Sequence, residues 1–240
     1  VIQSVLGTGG MSTVYLAWDG TRHVALKVFD TGQPSTAVLV HPHIVPVYGH
    51  GQTDDGTYWM AMQYALGGDA DTELRVGRMP PDRTLHIIAG VADALDFAHS
   101  RDVVHGDVKP SNFLLAEQDQ VLLADFGTVP FVEHGEVLVS AAYASPDMLR
   151  GKEIDGRTDV YSLGCSLFRL LTGRPPFFDA ESKDEVVNCH LHDAAPQPTR
   201  FAPWLPAGMD DVVATAMAKD PDARYQNARA LAAAATAAMG

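Results

Sequence analysis

The hydrophobic period of this chain changes once, near residue 66, and that change constrains the fold more than any other feature. Before it, apolar residues come in short β-branched or aromatic runs, at 1–6, 14–18, 24–29, 45–49 and Tyr58–Gln63, separated by Gly and Asp turn residues. Such runs predict a small antiparallel sheet. The polar, glycine-bearing Leu66-Gly67-Gly68-Asp69 then breaks the pattern. Beyond it Leu85, Ile88, Ala89, Ala92, Leu95 and Ala98 recur near i, i+3, i+4 spacing, which predicts a long helix with one apolar face. Two short apolar runs, Phe113–Leu115 and 121–124, read as strands, whereas 160–171 reads as a helix buried nearly all round and stopped by Gly173. The Ala-rich stretch 228–238 predicts a closing helix. The expectation is an α+β chain of one domain, 1–240, with a sheet part over about 1–65 and a larger, mainly helical part over about 66–240.

Composition removes several alternatives. At 240 residues and 46% hydrophobic, the chain can bury one substantial core, or two small ones that share a cleft. A formal charge of −13 argues against nucleic acid as a partner, because that binding needs clustered Lys and Arg. Cys165 and Cys189 form neither a disulfide framework nor a metal-binding spacing, which fits a reducing, cytoplasmic setting. No apolar run approaches the roughly 20 residues needed to span a bilayer, and the start of the chain lacks the regions of a signal peptide. A start at Val1, a few residues ahead of a glycine-rich loop, reads as a piece of a longer protein.

Four motifs carry the chemistry, in a fixed order. Gly7-Thr8-Gly9-Gly10-Met11-Ser12-Thr13-Val14 joins two predicted strands, as a loop must if its backbone is to approach phosphates closely. Val24-Ala25-Leu26-Lys27 follows on the next strand, where alternation turns Lys27 toward a cleft under that loop. Next come His105-Gly106-Asp107-Val108-Lys109-Pro110-Ser111-Asn112 and, after a buried strand, Asp125-Phe126-Gly127. Taken singly, the first is also a flexible hairpin, the second an edge lysine with a snorkelling stem, and the third an Asx turn after a helix. Their order makes the set specific.

This set resembles the catalytic core of eukaryotic-type serine/threonine protein kinases, closest to the bacterial PknB-like group, and the resemblance spans nearly the whole chain. It implies a two-lobed fold with an ATP cleft between the lobes. It also implies Asp107 as the carboxylate that orients the acceptor and takes its proton, Lys109 as the cation steadying the transferred group, and Lys27 on the α and β phosphates. Asn112 and Asp125 would hold Mg2+, or Mn2+ in its place. Gly7 and Gly9 would cover the phosphates, while Val14, Ala25 and Leu114 would sandwich the adenine. Met62 would be the gatekeeper, the backbones of Gln63 and Ala65 would meet the polar edge of the base, and Asp69 would bind the ribose. Ala144-Ser145-Pro146-Asp147 and Asp159-Val160-Tyr161-Ser162-Leu163-Gly164 resemble the end of the activation segment and the start of the buried central helix. In the family Asp159 ties the backbone of the catalytic loop, and Asp147 has Arg224 as a candidate partner. The alternative for that last pair is a surface contact worth about 0 to 1 kcal/mol. Protein Ser/Thr acceptors, a homodimer and attachment to the membrane by a segment outside this chain are further implications of the resemblance.

The sequence departs from the family in four places. Ser12 replaces the usual third glycine of the loop. Gly106 stands where most such kinases carry arginine, whose fork pairs with a phosphate on the activation loop. The stretch 127–140 is short and offers Thr128 as its one interior hydroxyl, beside Glu133 and Glu136; Ser140 reads as the acceptor-side hydroxyl near Asp107. Between Phe29 and His41 no Glu occurs, Pro34 would break a helix, and Gly32 falls near the expected acid, so Lys27 lacks its usual helix glutamate. True deletion and residues absent from the sequence as printed both account for the short segments. Two other readings compete with an active protein kinase. One is a pseudokinase scaffold, motivated by the missing glutamate; the other is a small-molecule phosphotransferase, motivated by His-Gly-Asp followed by Asn.

Overall fold

The computed structural model describes residues 1–9, 12–30, 39–76, 79–126, 132–133, 136–137 and 141–240. The first part is an antiparallel sheet of β1 (Ile2–Thr8), β2 (Ser12–Trp18), β3 (His23–Phe29), β4 (Val47–Gln52) and β5 (Tyr58–Gln63), in the order β1-β2-β3-β5-β4. Its register sets the site. Val14 lies opposite Lys27, and Ala25 opposite Met62. Directly opposed residues share a face, as do residues two apart on one strand, so Val14, Ala25, Lys27 and Met62 all point the same way. The run at 45–49 is not one strand. Pro46 has no N–H to give, and Val45 donates instead to the Leu123 carbonyl at 3.0 Å, so β4 starts at Val47.

The second part contains α1 (Ala70–Val76), α2 (Pro81–His99), β6 (Phe113–Leu115), β7 (Val121–Leu123), the short pair β8 (Val132–Glu133) and β9 (Glu136–Val137), then α3 (Pro146–Leu149), α4 (Gly156–Thr172), α5 (Lys183–His192), α6 (Gly208–Ala216) and α7 (Ala228–Met239). α2 and α4 form its centre, with α6 and α7 packed against them. The inward face of α2 is broader than the spacing suggests. Ile87 and Val91 are buried beside Ile88, Ala92, Leu95 and Ala98, whereas Ala89 faces solvent. Thirteen residues of α4 are buried, and the helix stops at Gly173, whose φ of 78° glycine adopts without strain. Gly164 lets α6 approach, since a Cβ there would lie 2.6 Å from that of Ala216.

Two strips of backbone join the parts. His43 and Val45 bond to both sides of Leu123 in β7, and Gly67 and Gly68 exchange hydrogen bonds with Leu115 in β6 at 2.9 Å each. A Cβ on Gly67 would sit 2.7 Å from the Leu115 carbonyl oxygen, so this crossing requires glycine. The observed architecture is therefore an antiparallel sheet lobe on a mainly helical lobe. Among the described residues no helix is long and apolar enough to cross a membrane.

Candidate active site

The site is built outward from a carboxylate that solvent does not reach. Asp159, in the first turn of α4, is fully buried and accepts from the backbone N–H groups of His105 and Gly106, each at 2.8 Å. His99, the last residue of α2, reaches the same carboxylate through Nε2 at 2.7 Å. Gly156 makes room for that ring, because a Cβ there would lie 2.6 Å from His99 Nδ1. A buried carboxylate costs several kcal/mol of lost hydration, and three donors offset it only by being fixed in place. The consequence is a rigid loop. Gly106 has φ 79°, a left-handed conformation that arginine would occupy only under strain.

The next residues extend from this anchor. The Asp107 N–H donates to His105 Nδ1 at 3.1 Å, and His105 Nε2 bonds the Ala124 carbonyl at 2.8 Å, a pair that fits a proton on Nε2. Asp107 projects its carboxylate to Lys109 Nζ at 2.6 Å. Asn112 donates its amide to the Asp107 carbonyl at 2.7 Å and approaches the carboxylate at 3.3 Å. Asn112 therefore keeps its amide oxygen for another partner.

The sheet supplies the opposite wall. Lys27 is 6% exposed, and its ammonium lies 2.8 Å from Asp125 Oδ1. Lys27 thus has a carboxylate partner although its segment lacks a glutamate, and that partner is the expected metal ligand. Asp125 is held at φ 66°, which costs about 1 kcal/mol or more for a residue with a Cβ. The two halves meet through backbone: Ala124, next to Asp125, donates to the Asn112 carbonyl at 3.0 Å, and Phe126 lies edge-on to His105 with centroids 4.7 Å apart. Lys27, Asp125, Asn112, Asp107 and Lys109 therefore form one connected set.

Ala25 and Met62 belong to a small buried apolar cluster with Val45, Leu122 and Ala124, against which Val14 and Leu114 pack. All four expected side-chain contacts of an adenine thus lie in one cluster. Gln63 donates its N–H to the Pro46 carbonyl at 2.9 Å, and Ala65 is buried just beyond. Asp69 caps α1 by accepting from the Thr72 N–H and hydroxyl, both at 2.9 Å, the local role that an Asp directly ahead of a helix commonly takes. A Cβ added to Gly7 or Gly9 would meet no atom of the described residues within 3.4 Å, so crowding by those residues is not what calls for glycine there. The donor set also fits a hard cation. Asn112 and Asp125 both offer oxygen, the donor that Mg2+ or Mn2+ prefers.

Asp147 and Arg224 correct the surface alternative. They pair at 2.7 Å with the side chains 7% and 0% exposed, and Arg224 also donates to the carbonyls of Ala218, Arg157 and Lys219. His99 and Gly156 are the positions missed in sequence. A helix-end histidine carries no motif, and only the fold brings it to Asp159. Gly10, Met11, Gly32, Pro34, Gly127, Thr128, Ser140 and the side chains of Glu133 and Glu136 lie outside the described residues.

Comparison with known proteins agrees with this geometry. The family described as Protein kinase domain matches residues 1–234. Serine/threonine-protein kinase PknJ of Mycobacterium tuberculosis is 44% identical over 265 residues, covering 99% of this chain and 45% of that protein. PknF of the same species is 39% identical over 251 residues, 92% of this chain and 52% of that protein. PknB of Mycobacterium leprae is 36% identical over 251 residues, 93% of this chain and 40% of that protein. The chain spans about half the length of these relatives, or less. The PknJ alignment runs over 265 positions against 240 residues here, so at least 25 have no counterpart in this chain. On the family match and these identities, the chain belongs to the protein kinase domain family, as a bacterial-type serine/threonine kinase domain related to PknJ, PknF and PknB.

Proposed function

We propose that residues 1–240 act as one kinase domain that transfers the γ-phosphoryl group of ATP to Ser or Thr hydroxyls of proteins in bacterial signalling. The observation that carries this reading is the connected set of Lys27, Asp125, Asn112, Asp107 and Lys109 on the Asp159 anchor. Asp107 orients the acceptor hydroxyl and takes its proton, and Lys109, already beside it, balances charge on the group in transit. Lys27 binds the α and β phosphates under Gly7 and Gly9. Val14, Ala25, Met62 and Leu114 enclose the adenine, Gln63 and Ala65 meet its edge, and Asp69 turns from its cap to the ribose. Asn112 and Asp125 hold Mg2+ or Mn2+, which supplies charge neutralisation on the phosphates. Gly106 leaves no arginine to read an activation-loop phosphate, so turnover is independent of phosphorylation there. Within the group, the motifs also resemble the mycobacterial kinase PknI, while PknJ and PknF support the reading here. A cytoplasmic site, dimerisation and a membrane anchor outside this chain belong to the same proposal.

The test is radiolabel transfer from ATP and Mg2+ to the protein itself or to a generic protein acceptor. Wild type labels the acceptor and Asp107→Asn loses at least about a thousandfold; equal labelling by both ends the proposal. One observation favours a second reading, a weakly turning-over nucleotide-binding scaffold: Lys27 engages the carboxylate expected to hold the metal. Thermal stabilisation by nucleotide without turnover supports that reading.

A further inference from the structure

The helical lobe holds a buried polar chain outside the set just described. Tyr161 on α4 and His190 on α5 are both fully buried, and Tyr161 Oη lies 2.9 Å from His190 Nδ1. Lys219, just past α6, places Nζ 3.4 Å from Tyr161 Oη and 3.3 Å from the Cys189 carbonyl. It also lies over the Phe177 ring at 5.4 Å. An ammonium can only donate, so Lys219 donates to Tyr161, whose own hydrogen is then directed at His190 Nδ1. That order puts the remaining ring proton of His190 on Nε2. Nε2 is buried and has no hydrogen-bond partner among the described residues, whereas buried donors are nearly always paired.

What lies against His190 is the 3-10 turn Ala141–Tyr143, on which α5 packs. The Ala142 backbone lies near enough to the ring to favour a proton on it, although Nε2 makes no hydrogen bond that meets ordinary distance and angle limits. The same turn is held at its other end by α4: Ser162 Oγ donates to the Tyr143 carbonyl at 2.7 Å. Ser162 is one helical turn from Asp159, the anchor of the loop that carries Asp107. Catalytic loop and turn therefore rest on one face of one helix, and His190 is a third support with its donor not yet engaged.

We propose that His190 is a positioning residue for the protein acceptor, with its Nε2–H bonding the Ala142 carbonyl when an acceptor peptide lies along the turn, and with Lys219 and Tyr161 setting the tautomer. This rests on the kinase reading. It does not require His190 to touch substrate.

Backbone amide exchange over 141–145 tests the support, and steady-state kinetics test its use, both on the 240-residue chain. His190→Phe and Tyr161→Phe are expected to speed exchange in that segment about tenfold and to raise the KM for an acceptor peptide by a similar factor. The KM for ATP and slow ATP hydrolysis stay at wild-type values, and His190→Gln, whose amide nitrogen stands in for Nε2, recovers most of the protection. The proposal is overturned if exchange in the segment is unchanged in folded Tyr161→Phe, or if exchange and both KM values rise together throughout the lobe. A wild type without any transfer would end the kinase reading and the acceptor role with it, while the exchange comparison would still decide whether His190 supports the turn.

Discussion

The two walls of the site are built on opposite terms. In the helical lobe, Asp159 is fully buried with three donors on it, and Asp147 is closed over by Arg224. In the sheet lobe every residue of β1 is exposed, and a Cβ on Gly7 would meet no described atom within 4 Å. The floor under Asp107 is finished by the protein itself, whereas β1 is left open to solvent. On the proposed kinase reading, that fixed floor supplies the preorganised charge that phosphoryl transfer asks for at the acceptor.

That contrast can be broken most severely at its buried end. Replacing Asp159 by Ala leaves two backbone donors and His99 without their acceptor, and should cost about 3 to 5 kcal/mol in urea unfolding along with most turnover. A loss under about 1 kcal/mol would mean that the floor is not rigidly specified.

Acid probes the same lobe more gently. Burial, aided by Lys219, pulls His190 down to about 4 from its ordinary 6.5. The folded state therefore binds this proton less readily than the unfolded chain. Its contribution is complete above pH 6.5 and is lost as pH falls toward 4, up to about 3 kcal/mol across that window. His190→Gln should flatten that part of the stability-against-pH curve; a curve identical to wild type would remove the assignment.

At the other extreme, Val5→Thr on β1 should change unfolding free energy by less than about 0.5 kcal/mol, since Val5 is 58% exposed. A larger loss would show that the sheet lobe is covered in solution.

Much of this was legible in the residues alone, for a physical reason. Val24-Ala25-Leu26-Lys27 alternates, so one face of β3 had to carry both Ala25 and Lys27, and the cross-strand register then added Val14 and Met62. The change of period near residue 66 gave the two lobes, and Gly173 gave the end of α4. What stayed hidden depended on contacts distant in sequence. His99 and Asp159 are 60 residues apart, and nothing local marks either as the other's partner. Lys27 bonding Asp125 was hidden for the same reason. α5 escaped because its ten residues carry a weak apolar stripe, with His190 as its one fully buried residue.

The central claim is that the carboxylates of residues 107 and 125 divide the work, one serving the acceptor and the other the metal. The affinity of Mn2+ with a non-hydrolysable ATP analogue, read by electron paramagnetic resonance, separates those roles in Asp107→Asn and Asp125→Asn. The account predicts near wild-type affinity for the first and a fall of about tenfold or more for the second. Equal affinities in the two variants would contradict it.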